Sequence, residues 1–115
     1  MKKILPSLLG LTLIMLLSSY AGAETPSSIK ILSPADQAVR DAGESYPLIY
    51  DVIAGTGSDH FHIWVDNERS KGIHDSKGVY NLPKLSPGEH TITIKLVDKD
   101  HNPTGPEKSI KVIAK

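Results

Sequence analysis

No cysteine occurs among the 115 residues. That excludes disulfides, iron–sulfur clusters, thiolate zinc sites, a thiol nucleophile and a lipid-modified cysteine anchor. Charge is balanced, with 13 Lys and Arg against 13 Asp and Glu. The chain therefore lacks the basic excess by which proteins hold nucleic acid or an anionic membrane surface. A single Phe and a single Trp leave a mostly aliphatic core. No stretch sustains a helical period, and the 8 Pro recur too often for long helices. Repeats and low-complexity tracts are absent. The length allows one domain.

The opening residues read as an export signal. Lys2 and Lys3 give a positive start, Leu8 to Leu17 is apolar apart from Gly10 and Thr12, and Ala21-Gly22-Ala23 supplies an A-x-A cleavage site. An uncleaved membrane anchor is the other reading, but the run is short of the roughly 20 apolar residues that span a bilayer. The expected division is a signal peptide over residues 1–23, a short linker over 24–28 and a domain over 29–115, located in the periplasm or secreted. Lys2, Lys3, Met1 and Met15 leave with the signal. The mature domain is then slightly acidic and contains no sulfur, so it must stand on its core alone.

After the linker the chain reads as short strands separated by Gly, Pro, Asp and Asn clusters. Strands are expected over residues 29–32, 38–40, 46–54, 60–66, 79–82, 90–98 and 109–114. Alternation places Leu48, Tyr50 and Val52 on one face of the second long strand. It sets Phe61, Ile63 and Val65 opposite His60, His62, Trp64 and Asp66 on the next. Ile92, Ile94 and Leu96 point inward, while Thr91, Thr93 and Lys95 point outward. Residues 67–77 are polar and show no period, and residues 100–106 read as a turn. About seven short strands with frequent turns predict an all-β chain, an immunoglobulin-like β-sandwich. In that architecture the third strand pairs antiparallel with the sixth, so the start of one lies beside the end of the other.

All five histidines fall in the mature domain. His60 and His62, two apart on a strand, share a face with Cα atoms roughly 6.5–7 Å apart. That spacing suits two imidazoles on one metal ion, and it is also a common surface arrangement. His101 follows the sixth strand, and the antiparallel pairing brings it near the start of the third. Its strand parity, if continued, is outward; as a turn residue it also suits a left-handed backbone. His74 lies in the unplaced polar segment, which can fold over the same face or away from it. His90 opens a strand with inward parity and reads as a structural corner residue bonded to the preceding loop. Asp59, Asp66, Asp98 and Asp100 are either orienting partners for imidazole N–H groups or solvated turn residues. Trp64 is a shield for the site, a packing residue or a partner contact. The candidate metal ligands are thus His60, His62 and His101, with His74 as a fourth. Imidazole donors without sulfur suit Cu(II), Zn(II) or Ni(II), with affinity generally highest for Cu(II). A blue-copper site is excluded for want of a cysteine.

Five segments together resemble a bacterial family of small exported domains of unknown function. That family carries an S-P-x-D-G-A opening, an H-H-H-L-L-I-D strand, an H-F-G-K-G turn, an L-P-P-G-x-H-T corner and a D-x-N-H-x-P turn. Here Ser33-Pro34-Ala35-Asp36 is similar to the opening, with Gln37 at the glycine position. His60 to Asp66 resembles the triple-histidine strand, with Phe61 for the middle histidine. His74 to Gly78, Leu85 to Thr91 and Asp98 to Pro103 resemble the remaining three. The resemblance implies an exported immunoglobulin-like fold and supplies no activity.

Two functions follow as expectations. One is a small exported protein binding Cu(II) or Zn(II) through its histidines. The other is a non-catalytic structural or protein-interaction module of the cell envelope, with Trp64 in its contact patch. No Ser-His-Asp arrangement or paired-carboxylate motif stands out, so an enzyme is not expected. Neither a nucleic-acid partner nor a membrane span beyond the signal is expected.

Overall fold

The structure, a computed structural model, describes residues 24–115. The signal expected over 1–23 lies outside the described residues. Eight strands run in chain order: β1 (Ser28–Ser33), β2 (Ala38–Arg40), β3 (Pro47–Ile53), β4 (His60–Val65), β5 (Glu68–Arg69), β6 (Lys77–Asn81), β7 (Gly88–Val97) and β8 (Pro103–Ala114). They form a three-stranded sheet, β1-β3-β6, and a five-stranded sheet, β2-β8-β7-β4-β5. The domain is an immunoglobulin-like β-sandwich.

Alternating residues drive the packing. Leu48, Tyr50 and Val52 of β3 meet Phe61, Ile63 and Val65 of β4, with Ile92, Ile94 and Leu96 of β7 and Ile110 and Val112 of β8. Phe61, at the position of the resembling pattern's middle histidine, points inward. It meets Tyr50 edge-on at 5.2 Å between ring centroids, a favourable aromatic geometry. Burying a Leu, Ile or Val side chain contributes about 1.5–3 kcal/mol, so this aliphatic layer holds a domain without disulfides.

Two departures from the expected strands matter for the site. The first is β8, which begins at Pro103 rather than Ser109. Its pairing with β7 shifts between Lys95 and Val97, with Lys95 opposite Glu107 and Val97 opposite Pro103. A bulge absorbs the Pro-Gly content, with Gly105 at φ 117°, so residues that read as a turn continue the strand. The turn itself is only Asp98–Asn102. The second is the polar segment after Asp66. It turns back along the open edge of β4, first as β5, then through a bridge between Phe61 and Ile73. Backbone hydrogen bonds fasten it: Phe61 N–H donates to Ile73 at 3.1 Å, Ile73 N–H to Phe61 at 2.9 Å and Ser70 N–H to Ile63 at 2.9 Å. The Ser70 hydroxyl adds a bond from the Ile63 N–H at 2.9 Å. This strap runs along the edge of β4 and comes up against the His60 and His62 rings at Gly72, beside a strand that is buried on both sides over His60 to Ile63. The residues before β1 are held too. Thr25 exchanges hydrogen bonds with Thr56, and the Ser27 hydroxyl donates to the Ala54 carbonyl.

Candidate metal centre

β4 and β7 pair antiparallel, with His60 opposite Val97 and His62 opposite Lys95. The end of β7 therefore delivers the Asp98–Asn102 turn beside the start of β4. In that turn the Asp98 carboxylate accepts the N–H groups of Asp100 and Asn102, and the Asp98 carbonyl accepts that of His101. These bonds, the one from Asn102 first, hold the Asp98 carboxyl below its usual range. His101 takes φ 66°, a left-handed backbone in which His is enriched among non-glycine residues. Strand parity does not aim His101; the turn does. The turn-residue reading of its backbone holds.

Three imidazoles meet there. His60 Nε2 lies 3.2 Å from His101 Nδ1, and His62 Nε2 lies 3.1 Å from the same atom. His60 and His62 are 5% and 3% exposed, while His101 remains open to solvent. Each buried ring has its far nitrogen fixed. His60 Nδ1 lies 2.9 Å from the Asp59 carboxylate, and His62 Nδ1 lies 2.9 Å from the Ser70 carbonyl. Both partners only accept, so Nδ1 carries a proton in each ring, and in the neutral form Nε2 presents a lone pair. Carboxylate–histidine and carbonyl–histidine pairs of this kind also orient imidazoles at metal sites. Burial, opposed by the Ser70 bond and reinforced by Arg69, holds His62 below its ordinary pKa and so keeps it neutral. The hydrogen bond from His60 is the main influence holding Asp59 as a carboxylate.

The two separations from His101 Nδ1, 3.2 and 3.1 Å, are hydrogen-bond distances that also fall within the range of a metal's coordination shell. With metal–nitrogen bonds of about 2.0–2.1 Å, neighbouring donors sit about 2.9 Å apart at right angles and about 3.4 Å apart in a tetrahedron. With both rings neutral, two buried lone pairs face one His101 nitrogen that has at most one proton to donate. A buried acceptor left without a donor costs about 1–3 kcal/mol.

Gly72 admits this arrangement. The strap crosses the rings there, and a Cβ would stand 2.9 Å from His60 Cδ2, 3.2 Å from its Nε2 and 3.7 Å from His62 Cε1. The sequence reading missed this residue. A lone glycine in a polar stretch without period signals close approach in principle, but the ring it approaches is not visible locally.

The remaining candidates fall elsewhere. His74 stacks on His60 with centroids 5.0 Å apart and planes 29° from parallel. It does not join His62 and His101; it groups instead with Asp59 and His60. His90 is structural. Its Nδ1–H donates to Asp66 at 2.7 Å and its Nε2–H to the Ser86 carbonyl at 2.7 Å. With both nitrogens donating, the Asp66 bond and then the Ser86 bond raise its pKa. Trp64 sits further along the histidine face, with the Lys95 ammonium 5.1 Å from its ring centroid. That is a cation–π contact and not a cover over the three rings.

Fold and site together define an immunoglobulin-like sandwich with an imidazole cluster at one end of its larger sheet. Among solved structures, the chain is similar to the fibronectin(III)-like modules of Clostridium thermocellum CbhA. The TM-score is 0.62 at 20% identity, over 76% of this chain and 97% of that chain. That likeness establishes the fold alone. No protein-family model and no curated protein matches the chain. No helix among the described residues is long and apolar enough to cross a membrane.

Proposed function

We propose that this protein is a small exported metal-binding protein that takes Cu(II) or Zn(II) between His60, His62 and His101. The observation that carries the reading is the convergence of three ring nitrogens, two of them on buried rings held at their far side. Asp59 and Ser70 occupy the Nδ1 atoms of His60 and His62, so two buried Nε2 lone pairs converge on His101 Nδ1 at 3.2 and 3.1 Å. Three ring nitrogens leave one coordination position open on the solvent side, where His101 is exposed. That position lets an ion enter and leave, as a carrier or buffer requires. The mature chain offers no thiolate or thioether to hold Cu(I). The direct test is equilibrium dialysis of the protein, purified without a polyhistidine tag, against Zn(II) or Cu(II). One tightly held ion is expected, lost on His62→Ala and on His101→Ala. Retention of that ion by both variants would refute the assignment.

A second reading, a structural or interaction module of the envelope, has an observation of its own. The outer face of the β1-β3-β6 sheet exposes Leu32, Ile49, Ile53 and Val79, with Ile49 and Val79 opposite one another. Such clustering marks contact surfaces. Under this reading the histidine variants leave partner binding unchanged, whereas charged substitutions at Ile49 and Val79 abolish it.

A further inference from the structure

We infer that His60 bridges two metal ions, the second held on its Nδ1 side by Asp59 and His74. This inference rests on the proposed three-histidine site and extends it. His60 belongs to two groups of possible ligands, each with donor atoms within 4.8 Å of one another: His60, His62 and His101, and Asp59, His60 and His74. The ring faces them with opposite nitrogens. Nε2 points to His101, while Nδ1 lies 2.9 Å from the Asp59 carboxylate oxygen. That distance, here a hydrogen bond, also suits neighbouring donors on an ion with bonds of about 2.0–2.1 Å. His74 lies over the same ring, stacked at 5.0 Å.

Space and access favour occupancy. A cleft of about 220 Å³ is lined in part by Asp59, His60 and His74. His74 is exposed, so only a surface ring must turn for its nitrogen to reach the ion. The donor set is also chemically suited, with one carboxylate and two imidazole nitrogens, as Zn(II) and Cu(II) accept.

Loading follows an order. With one ion at the three-histidine site, His60 Nδ1 keeps its proton and Asp59 accepts it. When the second ion arrives, that proton leaves for the buffer. The ring becomes an imidazolate with one nitrogen on each ion, and the Asp59 oxygen moves from the proton to the metal. The proton lost offsets part of the incoming charge, and no redox change is involved. The second ion is expected to bind more weakly than the first, because the N–H proton must be displaced and the two cations repel.

The test is a titration of the protein with Cu(II), read by calorimetry and by electron paramagnetic resonance. The expected result is two ions per chain. The first gives an isolated Cu(II) spectrum. The second erodes that signal through coupling across the ring, with a proton released that makes the measured enthalpy depend on the buffer. His74→Ala, at an exposed position outside the three-histidine group, should leave the first ion and lose the second. Circular dichroism confirms that the variants are folded. One ion in the unaltered protein, lost on His62→Ala, overturns the bridge and leaves the three-histidine site standing. Two ions that remain magnetically independent, or that persist in His74→Ala, also overturn it. No uptake at all overturns the bridge and the site beneath it.

Discussion

Gly72→Ala is the substitution whose outcome the geometry fixes most narrowly. The added Cβ would stand 2.9 Å from His60 Cδ2. Ordinary carbon–carbon contact lies at about 3.5–4.0 Å, so strap and ring must separate by about 0.6–1 Å. The strap cannot easily lift, because Ile73 exchanges two hydrogen bonds with Phe61 and Ser70 is bonded to Ile63 on either side of the contact. The ring therefore yields. As His60 retreats, its Nε2 leaves the point it shares with His62 and His101, and its bond to Asp59 is strained. Overpacking of this kind costs about 1–3 kcal/mol of stability. Disturbing the groups that orient a ligand costs about 10–100-fold in metal affinity. The assay is calorimetric titration with Zn(II) beside Lys71→Ala, a neighbouring surface change expected to be neutral. A Gly72→Ala protein that binds Zn(II) within twofold of the unaltered chain would show that the strap does not hold His60 in place.

The fold makes further predictions away from the metal. His90→Gln removes the charged bond to Asp66, and its sign follows from the two shifts. The Asp66 bond raises the His90 pKa above 6.5. Burial pushes Asp66 upward, but its bonds from His90 and Thr91 outweigh that and leave it below 3.8. The contribution of His90 is fully present below pH 6.5 and is lost as pH rises through its folded value. That of Asp66 is present above pH 3.8 and is lost as pH falls through its folded value. Urea denaturation should thus show a loss of about 1 kcal/mol at pH 5.5 that shrinks by pH 9; an equal loss at both would contradict the pairing. Gln37 holds φ 70° where the resembling pattern has glycine, so Gln37→Gly should stabilise the domain by about 0.5–1 kcal/mol in thermal unfolding. Ser70→Ala leaves the buried Ile63 N–H without its acceptor and should cost about 1–3 kcal/mol in the same measurement.

What could be read from the chain alone follows how local each determinant is. Phe61, Ile63 and Val65 alternate with His60, His62 and Trp64, and a period of two needs no tertiary information. Antiparallel pairing of β4 with β7 comes with the architecture, and it brings His101 to His60 and His62. The left-handed turn at His101 was legible only as one of two readings, the other being outward strand parity. A left-handed turn capped by Asp98 interrupts the strand rhythm, and hydrogen bonds two to four residues away decide it. The strap was illegible for a different reason. Residues 67–76 bury little of their own, so they carry no hydrophobic period. Their course is set by the unpaired edge of β4 and by the absence of a Cβ at Gly72. Asp59, Asp66 and Asp98 are alike as turn residues in the sequence, yet the structure gives them three different tasks. Asp59 orients His60, Asp66 anchors His90 and Asp98 closes its own turn. Which of these an aspartate performs depends on what the fold places against it.

The central claim is that the Nε2 atoms of His60 and His62 converge with His101 on one ion. Calorimetric titration of the untagged protein with Cu(II) and Zn(II), beside the double variant His60→Ala/His62→Ala, tests it most directly. The account predicts tight, saturable uptake by the unaltered protein and its loss in the double variant. Weak uptake, unchanged when both histidines are removed, would contradict it.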